Sequence, residues 1–398
     1  MTAAEEPART DGEAREARAS DNSNELADNS KMARQPAGGA GQPGSTRWIG
    51  SAETRPIHRD DGAPAAGGRP ASLARPPALR PGDRVAVLTI SSPAPQEGLA
   101  VGLDALRFAG LEPVVFGSAR DPGSMRRYLA GDDALRAGDL RAALLDPAIA
   151  GIIFACGGSG AQRTLAATDW AELAGLPPKI LAGYSDVTAI LEAVAARLGW
   201  ASLLSPMACS GGATAHYSFG SMIRTLLQPE RAMQISYPQA VTVNGGTARG
   251  VTLGGCLTLL ASSVGTDTSR PARGGILVIE EETEEDYRLD RMLTQLRRSG
   301  YLDGVAGVIT GTFMNCGEPA AVQEILEERL GDLGVPMIAW ANVGHGGYFQ
   351  SYPIGVAAEL DAGARTLRLL DPPLVPAASP DPPESSPVTK ILASGRPE

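Results

Sequence analysis

An alternation of short apolar runs with segments of helical periodicity, between residues 84 and 198, constrains the fold more than any other feature of this chain. The apolar runs cover 84–90, 114–116, 151–155 and 179–184, and the helical patterns cover 99–109, 134–145 and 187–198. Buried strands that alternate with amphipathic helices are typical of a parallel sheet covered by helices. The sequence therefore predicts an α/β domain over residues 78–210.

A second, more β-rich domain is predicted over residues 249–373, after a polar and irregular connection at 211–248 that also suits a small helical insert. Its predicted elements are strands at 275–279, 307–313 and 336–340, a helix at 287–298, and a hairpin of strands 356–360 and 366–370. The fold class is thus α/β, with the two domains differing in strand content.

Both ends of the chain differ from this core in composition. Residues 1–77 are mostly Ala, Gly, Pro, Arg and acidic residues, and residues 374–398 are rich in Pro and Ser. Such segments bury too little apolar surface to offset the entropy lost on ordering. We therefore predict disordered tails over 1–77 and 374–398.

Charge and cysteine content narrow the class of partner. The 35 Lys and Arg against 45 Asp and Glu give a net charge of -10. A negative protein repels nucleic acid and anionic membranes, so a small molecule or peptide is the favoured binding partner. No apolar run reaches about 18 residues and no signal-peptide pattern is present, so we predict a cytoplasmic protein. The four cysteines are widely spaced and form no CxxC pair, which predicts neither a zinc site nor a disulfide framework.

Histidine is scarce, so the candidates for a general base are few. Of the three histidines, His58 lies in the predicted N-terminal tail and His216 in the polar connection. His345 follows a strand-like run in a glycine-rich loop, where catalytic groups are commonly carried. It is the stronger candidate, although a histidine held by backbone contacts alone is also compatible with the pattern.

The segment Gly-Tyr-Ser-Asp-Val at 183–187 half matches the nucleophile elbow G-x-S-x-G, with Ser185 at the central position and the second glycine missing. A serine before an apolar helix is also a common N-cap, so the motif alone is compatible with both a nucleophile and a structural cap. Its place at the C-terminal edge of a parallel sheet, where α/β folds bind ligands, favours the nucleophile.

A glycine turn at 156–160 follows the preceding strand and fits neither the P-loop nor the G-x-G-x-x-G spacing. Its backbone N–H groups could form an oxyanion hole together with the N–H of Asp186. A tight turn with no further role is the alternative.

An acidic run at 280–286 ends the apolar strand at 276–279. We expect Glu280 to belong to the strand, and therefore to be rigid enough to orient a histidine. The later acids are expected to fall progressively into the loop and the helix start: Glu281, Glu282, Glu284 and Glu285. A divalent metal is disfavoured because no second cluster of ligands accompanies the run.

Ser185, Glu280 and His345 together supply a nucleophile, an orienting carboxylate and a general base. A serine hydroxyl needs an imidazole to take its proton, and the imidazole needs a carboxylate to fix its tautomer. These three residues would suffice for acyl transfer.

In these and further motifs the sequence resembles the LD-carboxypeptidase family of serine peptidases, which also contains the microcin C immunity proteins. The resemblance covers nearly the whole predicted core and rests on these stretches: 136–147, Gly157 and Gly158 with Arg163, 183–188, 276–280 followed by 287–293, Gly344 with His345, and 353–355.

The resemblance implies an α/β domain that carries Ser185 and a β-rich domain that brings Glu280 and His345 across a cleft, often in a homodimer. It implies an oxyanion hole from the backbone of Gly158 and Asp186, and neither a metal nor an organic cofactor.

Three residues near the implied site provide the predicted substrate contacts: Gly157, Ser159 and Tyr184. Departures from the family pattern fall here too: Cys156 replaces the usual Arg, Cys256 replaces Asn, and Leu-Ser-Pro-Met at 204–207, which contains Ser205, replaces His-Gly-Pro-Met. No departure removes a predicted triad member, but each leaves the substrate open.

The leading hypothesis is a serine hydrolase that cleaves a C-terminal amide of a small peptide, such as a muropeptide, through an acyl-enzyme on Ser185. One alternative keeps the triad but acts on a peptidyl-nucleotide or similar toxic conjugate as self-immunity. An alternative of another class is a catalytically silent binding protein, which the replacements at Cys156 and Ser205 would allow.

Overall fold

The computed structural model describes residues 71–120, 126–210 and 215–376, with only the backbone at 215 and 216. These residues form fourteen strands: β1 Arg84–Leu88, β2 Glu112–Val115, β3 Ile149–Phe154, β4 Ile180–Gly183, β5 Ser202–Leu204, β6 Gln234–Ser236, β7 Val241–Asn244, β8 Thr247–Cys256, β9 Gly275–Glu282, β10 Gly307–Met314, β11 Met337–Ala339, β12 Tyr352–Ile354, β13 Ala357–Asp361 and β14 Thr366–Leu369.

The same residues form ten α-helices: α1 Gln96–Phe108, α2 Gly117–Arg120, α3 Asp133–Leu145, α4 Ala161–Ala166, α5 Trp170–Leu173, α6 Thr188–Arg197, α7 Ala215–Leu227, α8 Leu257–Ser263, α9 Asp286–Arg298 and α10 Pro319–Leu330. Short 3₁₀ turns cover Ser185–Val187, Pro229–Arg231 and Gly331–Leu333. No helix among the described residues is long and apolar enough to cross a membrane.

The first sheet has six strands in the order β2-β1-β3-β4-β5-β12. Its first five strands are parallel, and β12 is added antiparallel to β5. Alternate residues of β1 point to opposite faces, so Val85 and Val87 pack with α1 and α7, whereas Ala86 and Leu88 pack with α3, α4 and α6. The predicted parallel α/β domain is confirmed, with a helical layer on each face.

The second sheet has eight strands in the order β6-β14-β13-β8-β9-β10-β11-β7. Its centre, β8 to β11, is parallel, while β13, β14, β6 and β7 are paired antiparallel at its two sides. The predicted hairpin is present as β13 and β14, which pair around Asp361. Both sheets belong to one compact unit of the chain.

Strand β9 carries the side chains that face the first domain. Ile276 and Val278 join the cluster that contains α6, whereas Leu277 and Ile279 pack against α8, α9 and α10. Because side chains alternate along a strand, residue 280 continues the face turned toward α6. Helix α6 begins just after Ser185 and is buried along almost its whole length between the two sheets.

The predicted tail boundaries differ from the structure at their inner ends. The Leu73 N–H donates to the Gly355 carbonyl at 2.7 Å, and Pro77 forms a parallel bridge with Val375. Leu374 is buried in the first domain. Backbone pairing and buried apolar side chains thus include residues 71–77 and 374–376 in the packed unit, and the rest of both predicted tails lies outside the described residues.

The predicted connection at 211–248 also differs from the structure. Helix α7, which packs on the first sheet, agrees with the helical insert that the sequence also allowed, but β6 and β7, which pair at opposite sides of the second sheet, were not predicted. Short, partly exposed edge strands bury too few side chains to leave a clear period in the sequence. Strand β12 was not predicted; its residues lie within the bounds of the predicted second domain, yet it pairs with β5 of the first sheet.

Candidate active site

Ser185 lies in the sharp turn between β4 and α6, at the C-terminal end of a central strand of the first sheet. Its φ is 63°, a left-handed value that is unusual for a residue with a side chain and is found where surrounding structure enforces strain. Neither Tyr184 nor Val187, the cap positions of the 3₁₀ turn and of α6, makes a side-chain cap bond, so no serine N-cap forms here. The geometry matches the nucleophile elbow.

Asp186 fastens this turn to the rest of the first domain. Its buried carboxylate accepts hydrogen bonds from the Ser91 hydroxyl at 2.6 Å and from the Ala161 N–H at 2.8 Å. Burial raises the pKa of this carboxyl although both hydrogen bonds oppose the rise. Asp186 was predicted for its backbone N–H, and this positioning role of its side chain has no local signal in the sequence.

The glycine turn after β3 packs directly against the serine. A Cβ added to Gly157 would lie 2.9 Å from the Ser185 Cβ and 3.5 Å from the Asp186 backbone nitrogen. Gly158 has a φ of 106°, and a Cβ there would clash with the Ser92 hydroxyl. Only glycine therefore allows the turn to approach the backbone beside Ser185 this closely.

Glu280 and His345 form a hydrogen-bonded pair in the second domain. Glu280 is fully buried near the end of β9, and its Oε2 lies 2.7 Å from the His345 Nδ1. The same oxygen accepts the backbone N–H of His345 at 2.9 Å. The ring and the backbone of His345 are thus both fixed by one carboxylate.

Two glycines allow the loop that carries His345 to lie this close to Glu280. Gly344 has a φ of 99°, and a Cβ added to it would lie 2.2 Å from the Glu280 Oε2. At Gly311 of β10 an added Cβ would meet the Val343 carbonyl at 2.2 Å. The loop that carries His345 can therefore lie on the end of β9 only because these two positions have no side chain.

A cavity of about 220 Å³ brings the two halves together. Its wall includes Ser185 and the glycine turn from the first domain and His345 from the second. Glu280 lies behind His345, out of solvent. A larger cavity of about 630 Å³ lies beside α7 and β6, and no predicted site residue lines it, so cavity size alone does not mark the site.

Glu282 was predicted to have left the strand, and this prediction is wrong. Strand β9 continues to Glu282, which therefore shares a face with Glu280. The Glu282 side chain lines the cavity, and its Oε2 lies 3.2 Å from the His345 Nε2. A period of two, continued beyond residue 280, was the signal that could have found it.

Glu281 is also in the strand, but on the opposite face, where it is buried. Its carboxylate accepts the Thr258 N–H at 2.7 Å and the Cys256 thiol at 3.5 Å. Burial raises the pKa of Glu281, and these contacts lie at the start of α8 rather than in the cavity.

The charges around His345 favour its protonated form. Burial lowers the pKa of His345, but the hydrogen bond to Glu280 and the charges of Glu280, Glu282 and Glu281 outweigh burial, so the pKa is raised. The Tyr184 ring lies 4.8 Å from the imidazole, measured between centroids, and holds it from the side of the nucleophile turn.

The remaining predicted residues divide between the cavity and its surroundings. Gly157 and Tyr184 line the cavity, whereas Ser159 is exposed and is not part of its wall. Cys156, named among the departures near the implied site, also lines it, as does Cys209, which the prediction did not place there, and burial raises the pKa of both thiols. The side chain of His216 and all of His58 lie outside the described residues.

Both domains match models of one protein family. Residues 85–205 match the LD-carboxypeptidase N-terminal domain, and residues 249–360 match the LD-carboxypeptidase C-terminal domain. A Streptomyces coelicolor protein named provisionally as a carboxypeptidase is 45% identical over 76% of this chain and 98% of its own. The murein tetrapeptide carboxypeptidase of Pseudomonas aeruginosa is 29% identical over 70% of this chain and 93% of its own.

Solved structures show the same fold. The microcin C7 self immunity protein MccF, in complex with glutamyl sulfamoyl guanosine, superposes with a TM-score of 0.69 at 21% identity, over 76% of this chain and 99% of that chain. Muramoyltetrapeptide carboxypeptidase from Oxalobacter formigenes superposes with a TM-score of 0.63 at 24% identity, over 74% of this chain and 100% of that chain. With both domains matched in order and a 45% identical relative covered almost completely, the chain belongs to the LD-carboxypeptidase family of serine peptidases.

Proposed function

We propose that the protein is a serine carboxypeptidase that removes the C-terminal D-amino acid from a small peptide, a muropeptide in the first instance, through an acyl-enzyme on Ser185. The observation that carries the proposal is the contact of 2.7 Å between the His345 Nδ1 and the buried Glu280 Oε2, with His345 in the wall of the cavity that also holds the strained turn of Ser185.

In this proposal His345 is the general base. Glu280 binds its Nδ1, which leaves Nε2 to take the proton of the Ser185 hydroxyl as that oxygen attacks the scissile carbonyl. The C–N bond then breaks, His345 returns the proton to the leaving amine, and water hydrolyses the ester on Ser185 by the same steps. Glu280 stabilises the imidazolium without taking its proton.

The oxyanion of each tetrahedral intermediate would accept hydrogen bonds from the backbone N–H groups of Asp186 and Gly158. Support comes from the close approach of the glycine turn to Ser185 and from the anchoring of Asp186 to Ser91 and Ala161. Donors that are fixed before the reaction need no reorganisation when charge develops on the carbonyl oxygen.

The substrate class rests on the curated relatives. The Pseudomonas aeruginosa relative is named for murein tetrapeptide, and a Bacillus subtilis relative, 32% identical, is named provisionally for murein peptide. The self-immunity alternative rests on fold likeness to MccF, at 21% identity or less in the wild-type and ligand-bound forms. The higher identities therefore favour the peptide.

The test is to incubate the protein with a muropeptide tetrapeptide and with an aminoacyl sulfamoyl nucleoside and to identify the products by mass. We expect release of D-alanine from the tetrapeptide by the wild type and none by Ser185→Ala. Cleavage of the nucleoside alone would favour the self-immunity alternative. Absence of any product, in a protein that is folded by circular dichroism, would favour the silent binding protein.

A further inference from the structure

The second carboxylate on the imidazole is not used by the proposed mechanism. Both ring nitrogens of His345 face carboxylates, Nδ1 that of Glu280 at 2.7 Å and Nε2 that of Glu282 at 3.2 Å. A carboxylate attracts positive charge and can only accept hydrogen bonds, so the hydrogen bond at Nδ1 and the ion-pair contact at Nε2 together favour the imidazolium, with an N–H on each nitrogen. This arrangement thus favours the proton that a general base must lack.

Catalysis needs the opposite arrangement at Nε2. The proton of Ser185 can move to Nε2 only when that nitrogen is unprotonated and faces the hydroxyl. Glu282 must therefore give up its contact with His345 whenever the serine is activated. Its side chain is 37% exposed, enough to move without disturbing β9.

Once it has left His345, the Glu282 carboxylate needs another hydrogen-bond donor or positive charge. The described residues that line the cavity include neither a lysine nor an arginine, so this part of the wall offers Glu282 no positive charge to replace the imidazolium. The thiols of Cys156 and Cys209 are the other titratable groups facing this space, together with the Tyr184 phenol, and burial raises the pKa of all three, so they stay neutral.

We propose that Glu282 is a specificity residue that exchanges partners, holding the Nε2 of His345 in the free enzyme and binding a positively charged group of the acyl residue in the complex. The exchange leaves Nε2 free to act on Ser185. Substrates with an ammonium group at that residue are then preferred over neutral ones. This inference rests on the proposed function for its choice of substrate, but its acid–base part depends only on Ser185 and His345.

The pH dependence of kcat/KM tests whether Glu282 holds the imidazole of His345 in the free enzyme. The rate rises as His345 loses its proton, so the acid limb reports the pKa of His345 in the free enzyme. Glu282→Gln removes a negative charge that favours the imidazolium, so the acid limb should move to lower pH by about half a unit to one unit. The substrate is a tetrapeptide with Nε-acetyl-lysine as the acyl residue, which carries no charge there.

Glu285→Gln is the matched control. Glu285 is exposed at the start of α9, three residues from Glu282, and the same substitution there removes the same charge outside the cavity. Its acid limb should coincide with that of the wild type. Thermal unfolding of both variants verifies that the substitutions leave the fold intact.

A pair of substrates tests the exchange. The lysine tetrapeptide should exceed its Nε-acetyl-lysine counterpart in kcat/KM by about fivefold with the wild type, a scale typical of a partly exposed ion pair, and by no more than twofold with Glu282→Gln. An unchanged preference in Glu282→Gln would overturn the assignment of Glu282 as the acceptor. An acid limb that stays in place, or moves to higher pH, would overturn its hold on His345.

Failure of the proposed function is recognised separately. The rate of labelling by a neutral fluorophosphonate depends on the Ser185 hydroxyl and on His345 but on no peptide. If the tetrapeptides are not cleaved, the pH dependence of labelling in the wild type and Glu282→Gln still shows whether Glu282 holds the imidazole, while the absence of cleavage counts against the carboxypeptidase and against the ammonium preference.

Discussion

The two halves of the candidate site are built in different ways. The nucleophile half is one turn, residues 183–187, held by the Asp186 carboxylate and covered by the glycine turn at 156–160. The acid–base half joins β9 to a loop 65 residues later, through Glu280 and His345. Local backbone geometry fixes the first half, whereas the second depends on how strands and loops of the second sheet pack.

Among substitutions that keep His345, the largest effect on the acid–base half is expected from Glu280→Gln. The amide cannot stabilise an imidazolium and can favour the wrong tautomer, so turnover should fall by about 10² to 10⁴ with little loss of stability. Glu281→Gln is the control, because Glu281 faces α8 and should stay within a few fold of the wild type. Steady-state turnover of the tetrapeptide measures both. Equal losses would show that the face of β9 does not matter.

How well the sequence predicted each half follows from this difference. The turn around Ser185 could be predicted because strand, turn residues and helix stripe are adjacent in the chain. Glu280 and His345 could be selected as residue types, since histidine is scarce and Glu280 adjoins an apolar run. The acidic composition after residue 280 hid the continuation of β9 to Glu282, which a period of two could have suggested and which pairing with β10 fixes.

Long-range pairing explains the other differences as well. Edge strands β6 and β7 are defined by their partners β14 and β11 rather than by apolar periodicity. Strand β12 is close to β13 in the chain, yet it pairs with β5 in the other sheet. Such pairings depend on which edge of a sheet is open, and no local window contains that information.

Glycine substitutions should affect both halves, the second more than the first. Gly344→Ala places a Cβ against the Glu280 carboxylate at a left-handed φ, and we expect turnover to fall by about 10². Gly157→Ala adds a Cβ beside Ser185 at an ordinary φ, and a fall of about tenfold is expected. Gly138→Ala, on α3 with open space around it, should change neither turnover nor the melting temperature adversely.

The smallest effect concerns α6, the helix that lies between the halves. Glu192 is buried there, accepts a hydrogen bond from Tyr301 at 3.2 Å, and burial raises its pKa to about 8. Between the unfolded value and that pKa the native state binds the extra proton, so this residue makes stability fall as pH rises toward 8.

Glu192→Gln should remove this pH dependence. At pH 9 the variant should be more stable than the wild type by about 1–3 kcal/mol, while near pH 5 the two should be similar. Urea unfolding at the two pH values measures the difference. A variant that is less stable at pH 9 would show that the charged form of Glu192 is favoured in the folded protein.

The central claim is that the acid–base half activates Ser185 of the nucleophile half, and covalent labelling of that serine tests the claim most directly. After reaction with a neutral fluorophosphonate, peptide mapping by mass spectrometry should place the adduct on Ser185. Labelling should be absent in Ser185→Ala and slowed by several orders of magnitude in His345→Ala, up to about 10⁶ by analogy with other triads. An adduct on another serine of the cavity, such as Ser210, or undiminished labelling of His345→Ala, would contradict the account.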